Sequence, residues 1–158
     1  MTDHLMQNYA PLPVTFVKGE GAWLWDTEGK KYLDALSGVA VCGLGHAHPA
    51  VAKAISDQAH ELVHTSNWYH IAKQEVLAER LTQLAGMDRV FFSNSGAEAN
   101  DAAIKLARKV TNRLDVISTH QSFHGRTIST ASATGQASHR EKFNPLMPNY
   151  RFVTYGDL

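Results

Sequence analysis

Residues 89–101, RVFFSNSGAEAND, and residues 122–127, SFHGRT, hold the side chains best suited to chemistry. In the first, the apolar burst Val90-Phe91-Phe92 runs into Ser93-Asn94-Ser95-Gly96 and emerges as an alanine-rich, helix-favouring stretch. Ser95 and Glu98 stand at capping-box spacing. The first turn of a helix carries backbone N–H groups without intrahelical acceptors, and the helix dipole places partial positive charge there. Gly96 has no side chain to keep an anion away from that backbone, and Ser95 adds a hydroxyl donor. Such a turn, at the carboxyl end of a strand, holds a phosphate. The same spacing also serves plain capping, so this stretch alone leaves both readings open. It matches neither the P-loop pattern G-x-x-x-x-G-K-S/T nor the G-x-G-x-x-G of dinucleotide sites.

The second segment follows the next apolar run, DVIST, which predicts that it reaches the same sheet edge as Gly96. Phe123, Gly125 and Arg126 together offer a flat ring, a close backbone approach and a cation. Beside a phosphate cup, that set suits a flat anionic cofactor and a carboxylate substrate. Taken singly, a Phe after a strand is ordinary core and an exposed Arg is ordinary surface.

The elements expected to position these segments are legible from periodicity. Residues 14–36 alternate short apolar runs with turn signals at 18–21 and 26–29, the pattern of an antiparallel meander with Gly29 suited to positive φ. The glycine-rich SGVAVCGLGHAHPAV reads as loop, leading to a helix that starts near Pro49. Val51, Ile55, Ala59, Leu62 and Val63 mark its apolar face, and a second helix over 71–86 carries Val76, Leu77, Leu81 and Leu84 before stopping at Gly86. From residue 88 the expected order is strand RVFFS, helix GAEANDAAIKLARKV, strand DVIST, irregular SFHGRTISTASATG, a surface loop over 132–149, and strand RFVTY. Strands that alternate with helices indicate an α/β sheet with parallel strands. The helix is expected to bury Ala99, Ala103, Leu106, Ala107 and Val110. The C-terminus falls just after a strand, where such a sheet normally continues.

Composition narrows the function class. In 158 residues, fifteen basic and fifteen acidic side chains cancel, which gives no reason to expect a nucleic-acid or anionic-membrane partner. An apolar fraction of 44% suits a globular chain, no apolar run approaches the ~18 residues of a membrane span, and Met1-Thr2-Asp3-His4 does not begin a signal peptide. A single cysteine, Cys42, makes a cytoplasmic location the default. His46-Ala47-His48 lacks the spacing of a metal centre, so no metal is expected. Trp23 and Trp25 alternate along one strand and read as packing residues.

SNSGAEANDAAIKLARK and SFHGRT, with the upstream GEGAWLWDTEGKKYLDALSGVAVCGLGHAHPAV, resemble the class III aminotransferases that use pyridoxal 5'-phosphate, and within them the acetylornithine-type branch. The resemblance covers Tyr9 to Leu158. It implies the N-terminal portion of the fold-type I (aspartate aminotransferase-like) transferase fold, with residues 1–65 in the small domain and 66–158 in the large cofactor-binding domain. It assigns Gly96 and Ala97, with Ser95, to the cofactor phosphate, Phe123 to stacking on the pyridine ring, and Arg126 to the substrate carboxylate. Val39 matches a position where ornithine-type relatives carry a tyrosine for the free α-amino end of their substrate, which leans toward N-acetylornithine. The implied reaction moves an amino group to 2-oxoglutarate, giving glutamate, in a homodimer serving arginine biosynthesis.

Departures from the family are equally informative. Pyridoxal chemistry needs a lysine for the Schiff base and a carboxylate on the ring nitrogen. Family members place both further along a chain more than twice this length, and Lys30, Lys31, Lys53, Lys73, Lys105 and Lys109 do not match that lysine. The link Thr111-Asn112-Arg113 is also short for the acetylornithine subgroup. No catalytic residue is therefore assigned within 1–158. The expectation is an inactive N-terminal part of the enzyme or, as the alternative, a non-catalytic shortened product that binds a phosphorylated ligand or a full-length paralogue.

Overall fold

A computed structural model describes residues 4–157, so Met1–Asp3, including most of the stretch read for a signal peptide, and Leu158 lie outside it. The chain packs as two units, Met1–Ile71 and Ala72–Leu158.

The first unit begins with the expected meander: β1 (Phe16–Glu20), β2 (Trp23–Asp26) and β3 (Lys31–Leu33), antiparallel in that order. Trp23 pairs with Glu20 on one side and Leu33 on the other. Asp26 organises the second turn. Its Oδ1 accepts from the N–H groups of Glu28 and Lys30, both at 2.9 Å, and its Oδ2 from the Tyr32 hydroxyl at 2.8 Å. Gly29 takes φ 79°, as the turn requires. Burial alone would raise the Asp26 carboxyl, but these donors and the Lys30 charge outweigh it and hold it below the ordinary carboxylate value. Trp23 and Trp25 pack beneath lysines instead of in a core: Lys31 Nζ lies 4.1 Å from the Trp23 ring, and Lys18 Nζ 4.7 Å from that of Trp25.

After β3 comes a four-residue helical turn, α1 (Ser37–Ala40), of left-handed sense, with φ between 52° and 62° at all four residues. α2 (Pro49–Glu61) starts at the predicted proline. Its apolar face is open rather than buried: Val51, Ile55 and Leu62 are all exposed.

The second unit opens with α3 (Ala72–Ala85), ended by Gly86 at φ 65° with the Met87 N–H on the Thr82 carbonyl. Residues 89–93, expected as a strand, run without a ladder partner among the described residues, and Phe91 is exposed. An apolar run supplies the propensity for a strand, but only a neighbour supplies the hydrogen bonds. α4 (Gly96–Thr111) closes at Asn112 in the left-handed region, and β4 (Val116–Thr119) pairs in parallel with β5 (Tyr150–Val153).

Two further expectations are corrected. The stripe Ala99, Ala103, Leu106, Ala107 and Val110 is exposed, while Ala97, Asn100, Asp101, Ile104 and Arg108 form the half-buried face of α4. On this partly polar face Asn100 and Asp101 each make a side-chain hydrogen bond to the 122–127 loop. Within the segment read as irregular, Ile128–Ala133 forms a short helix, α5, and its last residues are buried: Thr130, Ala131, Ser132 and Ala133, with Thr134 following. The expected surface loop therefore starts only after Thr134 and contains two 3-10 turns. Small residues and hydroxyls carry this core, a composition that hides it from hydrophobic periodicity.

Candidate functional site

Ser95 caps α4 as its spacing predicts. With φ −155° and ψ 161°, it accepts the Glu98 N–H at 3.2 Å on its Oγ. The reciprocal half of the box is displaced by one residue, because the Glu98 carboxylate accepts the Asn94 N–H at 2.6 Å. Arg108 and Lys109 occupy the last turn, where the dipole favours cations. The N–H groups of Gly96 and Ala97 belong to the first turn, where the helix offers no acceptor. Nothing lies within 4 Å of where a Cβ on Gly96 would point. Open space therefore borders the positive end of the helix.

The SFHGRT loop lies against this turn. Gly125 adopts φ 137°, and a Cβ there would come 2.6 Å from the Ala97 Cβ and 3.0 Å from its Cα. Two side-chain bonds flank that contact. Asn100 donates its Nδ2 to the His124 carbonyl at 2.8 Å, and the Thr127 hydroxyl donates to Asp101 Oδ2 at 2.9 Å. Sequence reading singled out neither Asn100 nor Asp101. A polar residue on the inner face of a helix is the signal that could have found them.

From the sheet side the loop is anchored by hydroxyls. Ser118 Oγ lies 3.0 Å from both Ser122 Oγ and His124 Nε2, and the Ser122 hydroxyl donates to the Thr119 carbonyl at 2.7 Å. The His124 N–H reaches Thr134 Oγ1 at 3.1 Å. Beyond Gly125, Thr127 and Thr130 form a complete capping box at the start of α5. Phe123 is thus held between two anchored residues while it remains 51% exposed, its ring meeting His139 edge to face at 5.6 Å. Arg126 is exposed, on backbone fixed by Gly125 before it and Thr127 after it. Ser95, Gly96, Ala97, Phe123 and Arg126 are therefore brought to one region of the second unit.

These residues fit a flat phosphorylated group. The open turn at Gly96 and Ala97 can bind an anion, the exposed Phe123 ring offers a stacking face, and Arg126 adds a cation. Val39 belongs to the other unit, in α1, with φ 61° and 78% of its surface exposed. Among the described residues no three His, Cys, Asp or Glu side chains converge as metal ligands, and no helix is long and apolar enough to cross a membrane.

Comparison with known proteins gives one consistent result. The aminotransferase class-III family matches residues 5–158. Acetylornithine aminotransferase of Nitrosomonas europaea is 56% identical over 98% of this chain and 41% of its own length. The protein of that name from Methanothermobacter thermautotrophicus is 51% identical over 98% and 40%. Among solved structures, the ornithine aminotransferase of Toxoplasma gondii ME49 superposes with a TM-score of 0.92 at 33% identity, covering 98% of this chain and 38% of that one. Taurine:2-oxoglutarate aminotransferase from Bifidobacterium kashiwanohense, solved with pyridoxal phosphate and glutamate, gives 0.89 at 32% identity over 96% and 35%. The chain spans about two-fifths of the length of the curated relatives it matches.

Proposed function

Because this chain belongs to the class-III aminotransferases, a pyridoxal-phosphate-dependent family of the fold-type I architecture, we propose that it is the N-terminal part of an enzyme that moves an amino group from N-acetylornithine to 2-oxoglutarate. Its residues 1–65 belong to the small domain and 66–158 to the large one. The observation that carries the reading is the seat of Gly125 on Ala97, which unites the phosphate-binding turn with the loop bearing Phe123 and Arg126. The choice of donor is supported by relatives named acetylornithine aminotransferase at about half identity, and by valine at position 39.

The bound cofactor would supply the electron sink for amino transfer. This chain's residues do the holding. The N–H groups of Gly96 and Ala97 bind the phosphate with help from Ser95, and Phe123 covers a ring face. Arg126 fixes a substrate carboxylate through a two-pronged guanidinium contact. Valine at position 39, where ornithine-type relatives carry a tyrosine, favours the acylated donor. The assembled enzyme is a cytoplasmic homodimer in this reading, acting on small molecules of arginine biosynthesis.

Residues 1–158 alone bind without turnover, because none of their lysines matches the family's catalytic lysine. Incubating the purified chain with pyridoxal phosphate, N-acetylornithine and 2-oxoglutarate should yield no glutamate above a protein-free control. Turnover abolished by replacing one lysine of this chain would overturn that. A chimera in which these residues replace the matching part of the Nitrosomonas europaea relative should use N-acetylornithine in preference to ornithine. Preference for ornithine would refute the donor assignment.

A further inference from the structure

We propose that Asp34 and His46 form the clasp of a closed loop and act as positioning residues that hold Val39 in its left-handed conformation. The link from Val39 to the amino donor rests on the function proposed above; the clasp itself does not.

Residues 34–46 leave the meander and return to it at one point. The Asp34 N–H donates to the Ala22 carbonyl at 2.8 Å, and His46 exchanges both backbone hydrogen bonds with Gly21, at 3.0 and 2.8 Å. The two ends of the loop thus land on adjacent residues of the β1–β2 turn. Their side chains then meet: His46 Nε2 lies 2.6 Å from Asp34 Oδ2, with the two side chains 21% and 8% exposed. The approach depends on glycines. A Cβ on Gly19 would lie 2.6 Å from the His46 Cβ, and one on Gly45 would lie 2.9 Å from the Gly21 Cα.

The same carboxylate controls what the loop carries. Asp34 Oδ1 accepts the N–H groups of Leu36 at 3.0 Å and Ser37 at 2.9 Å, which set the entry to α1. The His46 contact and then the Ser37 N–H hold the Asp34 carboxyl below its ordinary value, so it is a charged acceptor at neutral pH. α1 needs such an anchor. Ser37, Val39 and Ala40 are non-glycine residues at positive φ, where a Cβ crowds the following carbonyl, and Val39 is also β-branched. Burial does not compensate, because Leu36, Val39, Val41 and Leu44 are all exposed. With so little apolar packing in the loop, the polar contacts at its neck oppose relaxation of the turn.

The test reads the loop directly in the chimera, where these residues sit in a full-length chain. Asp34→Ala and His46→Ala should each speed amide hydrogen exchange at Ser37 by about tenfold or more and shift the Val39 resonances away from left-handed values. Leu24 and Trp25, in β2, should keep their protection. His46→Gln, which offers a donor where Nε2 sits, should restore most of the Ser37 protection. In the chimera, Asp34→Ala should raise the Michaelis constant for the donor about tenfold while pyridoxal phosphate affinity stays within about twofold. Unchanged Ser37 exchange and Val39 resonances in both alanine variants would overturn the clasp. So would parallel loss of protection in β2, which would make the pair a general stabiliser. A released loop with an unchanged Michaelis constant supports the clasp and refutes the contact between Val39 and the donor. A parent chimera that fails to bind pyridoxal phosphate refutes the proposed function, and the exchange measurement still decides the clasp.

Discussion

Gly125 lies so close to Ala97 that a Cβ on the glycine would stand 2.6 Å from the alanine's own. Residues 28 positions apart thereby bring two motifs together that are unremarkable when separate. The contact also distinguishes two glycines of the site, since Gly96 faces open space and Gly125 does not.

That difference predicts opposite responses to one methyl group. Gly125→Ala meets a backbone at φ 137° and a clash with the first turn of α4, and should destabilise the second unit by about 2–4 kcal/mol. Gly96→Ala meets nothing and should change stability by less than about 1 kcal/mol, since alanine is the better helix former. Urea midpoints for the two variants check the ordering, and equal midpoints would contradict it.

The proposed phosphate and carboxylate roles should separate in the chimera. Gly96→Asp puts a carboxylate where the anion should sit. It should weaken pyridoxal phosphate binding by a few kcal/mol, given about 0.3–2 for a helix-end charge and about 1.5–3 for a charge-assisted hydrogen bond. Arg126→Ala should instead raise the Michaelis constant for the donor and leave cofactor affinity nearly unchanged. Cofactor absorbance titrations and steady-state kinetics distinguish the two. A Gly96→Asp protein that binds pyridoxal phosphate like its parent would reduce Ser95-Gly96-Ala97 to a helix cap.

Acid should loosen the first unit. Asp26 and Asp34 are both held below the ordinary carboxylate value when folded, so the folded chain binds their protons less tightly than the unfolded one. Their stabilisation is present above the unfolded value and is lost as the pH falls through the folded values. Melting curves between about pH 5 and about pH 2 should show the fall, and Asp26→Asn with Asp34→Asn should flatten it. A double variant with the parent's slope would contradict the assignment.

The isolated 158-residue chain should self-associate. Leu106, Val110 and Ile117 in the second unit, and Val51 and Ile55 in the first, are all exposed, and large exposed apolar patches are unusual on monomers. Sedimentation at micromolar concentration should show oligomers or aggregate. A monodisperse compact monomer would count against exposed faces of this kind.

Short-range chemistry is what the sequence by itself determined. The Ser95 cap, the Pro49 start, the Gly86 stop and the Gly29 turn each depend on residues within a few positions, and all were readable. The candidate site residues were proposed only because two motifs matched a family in combination. Tertiary structure decided the rest. Whether Val90-Phe91-Phe92 forms a strand depends on a neighbour to pair with, and Asn100 and Asp101 of α4 find their partners in the 122–127 loop. The core of hydroxyls and alanines at 130–134 leaves no hydrophobic period to read. The clasp between Asp34 and His46 joins residues twelve apart through a loop with no regular period. Local propensity acts through bonded neighbours, whereas these contacts exist only once the chain has closed on itself.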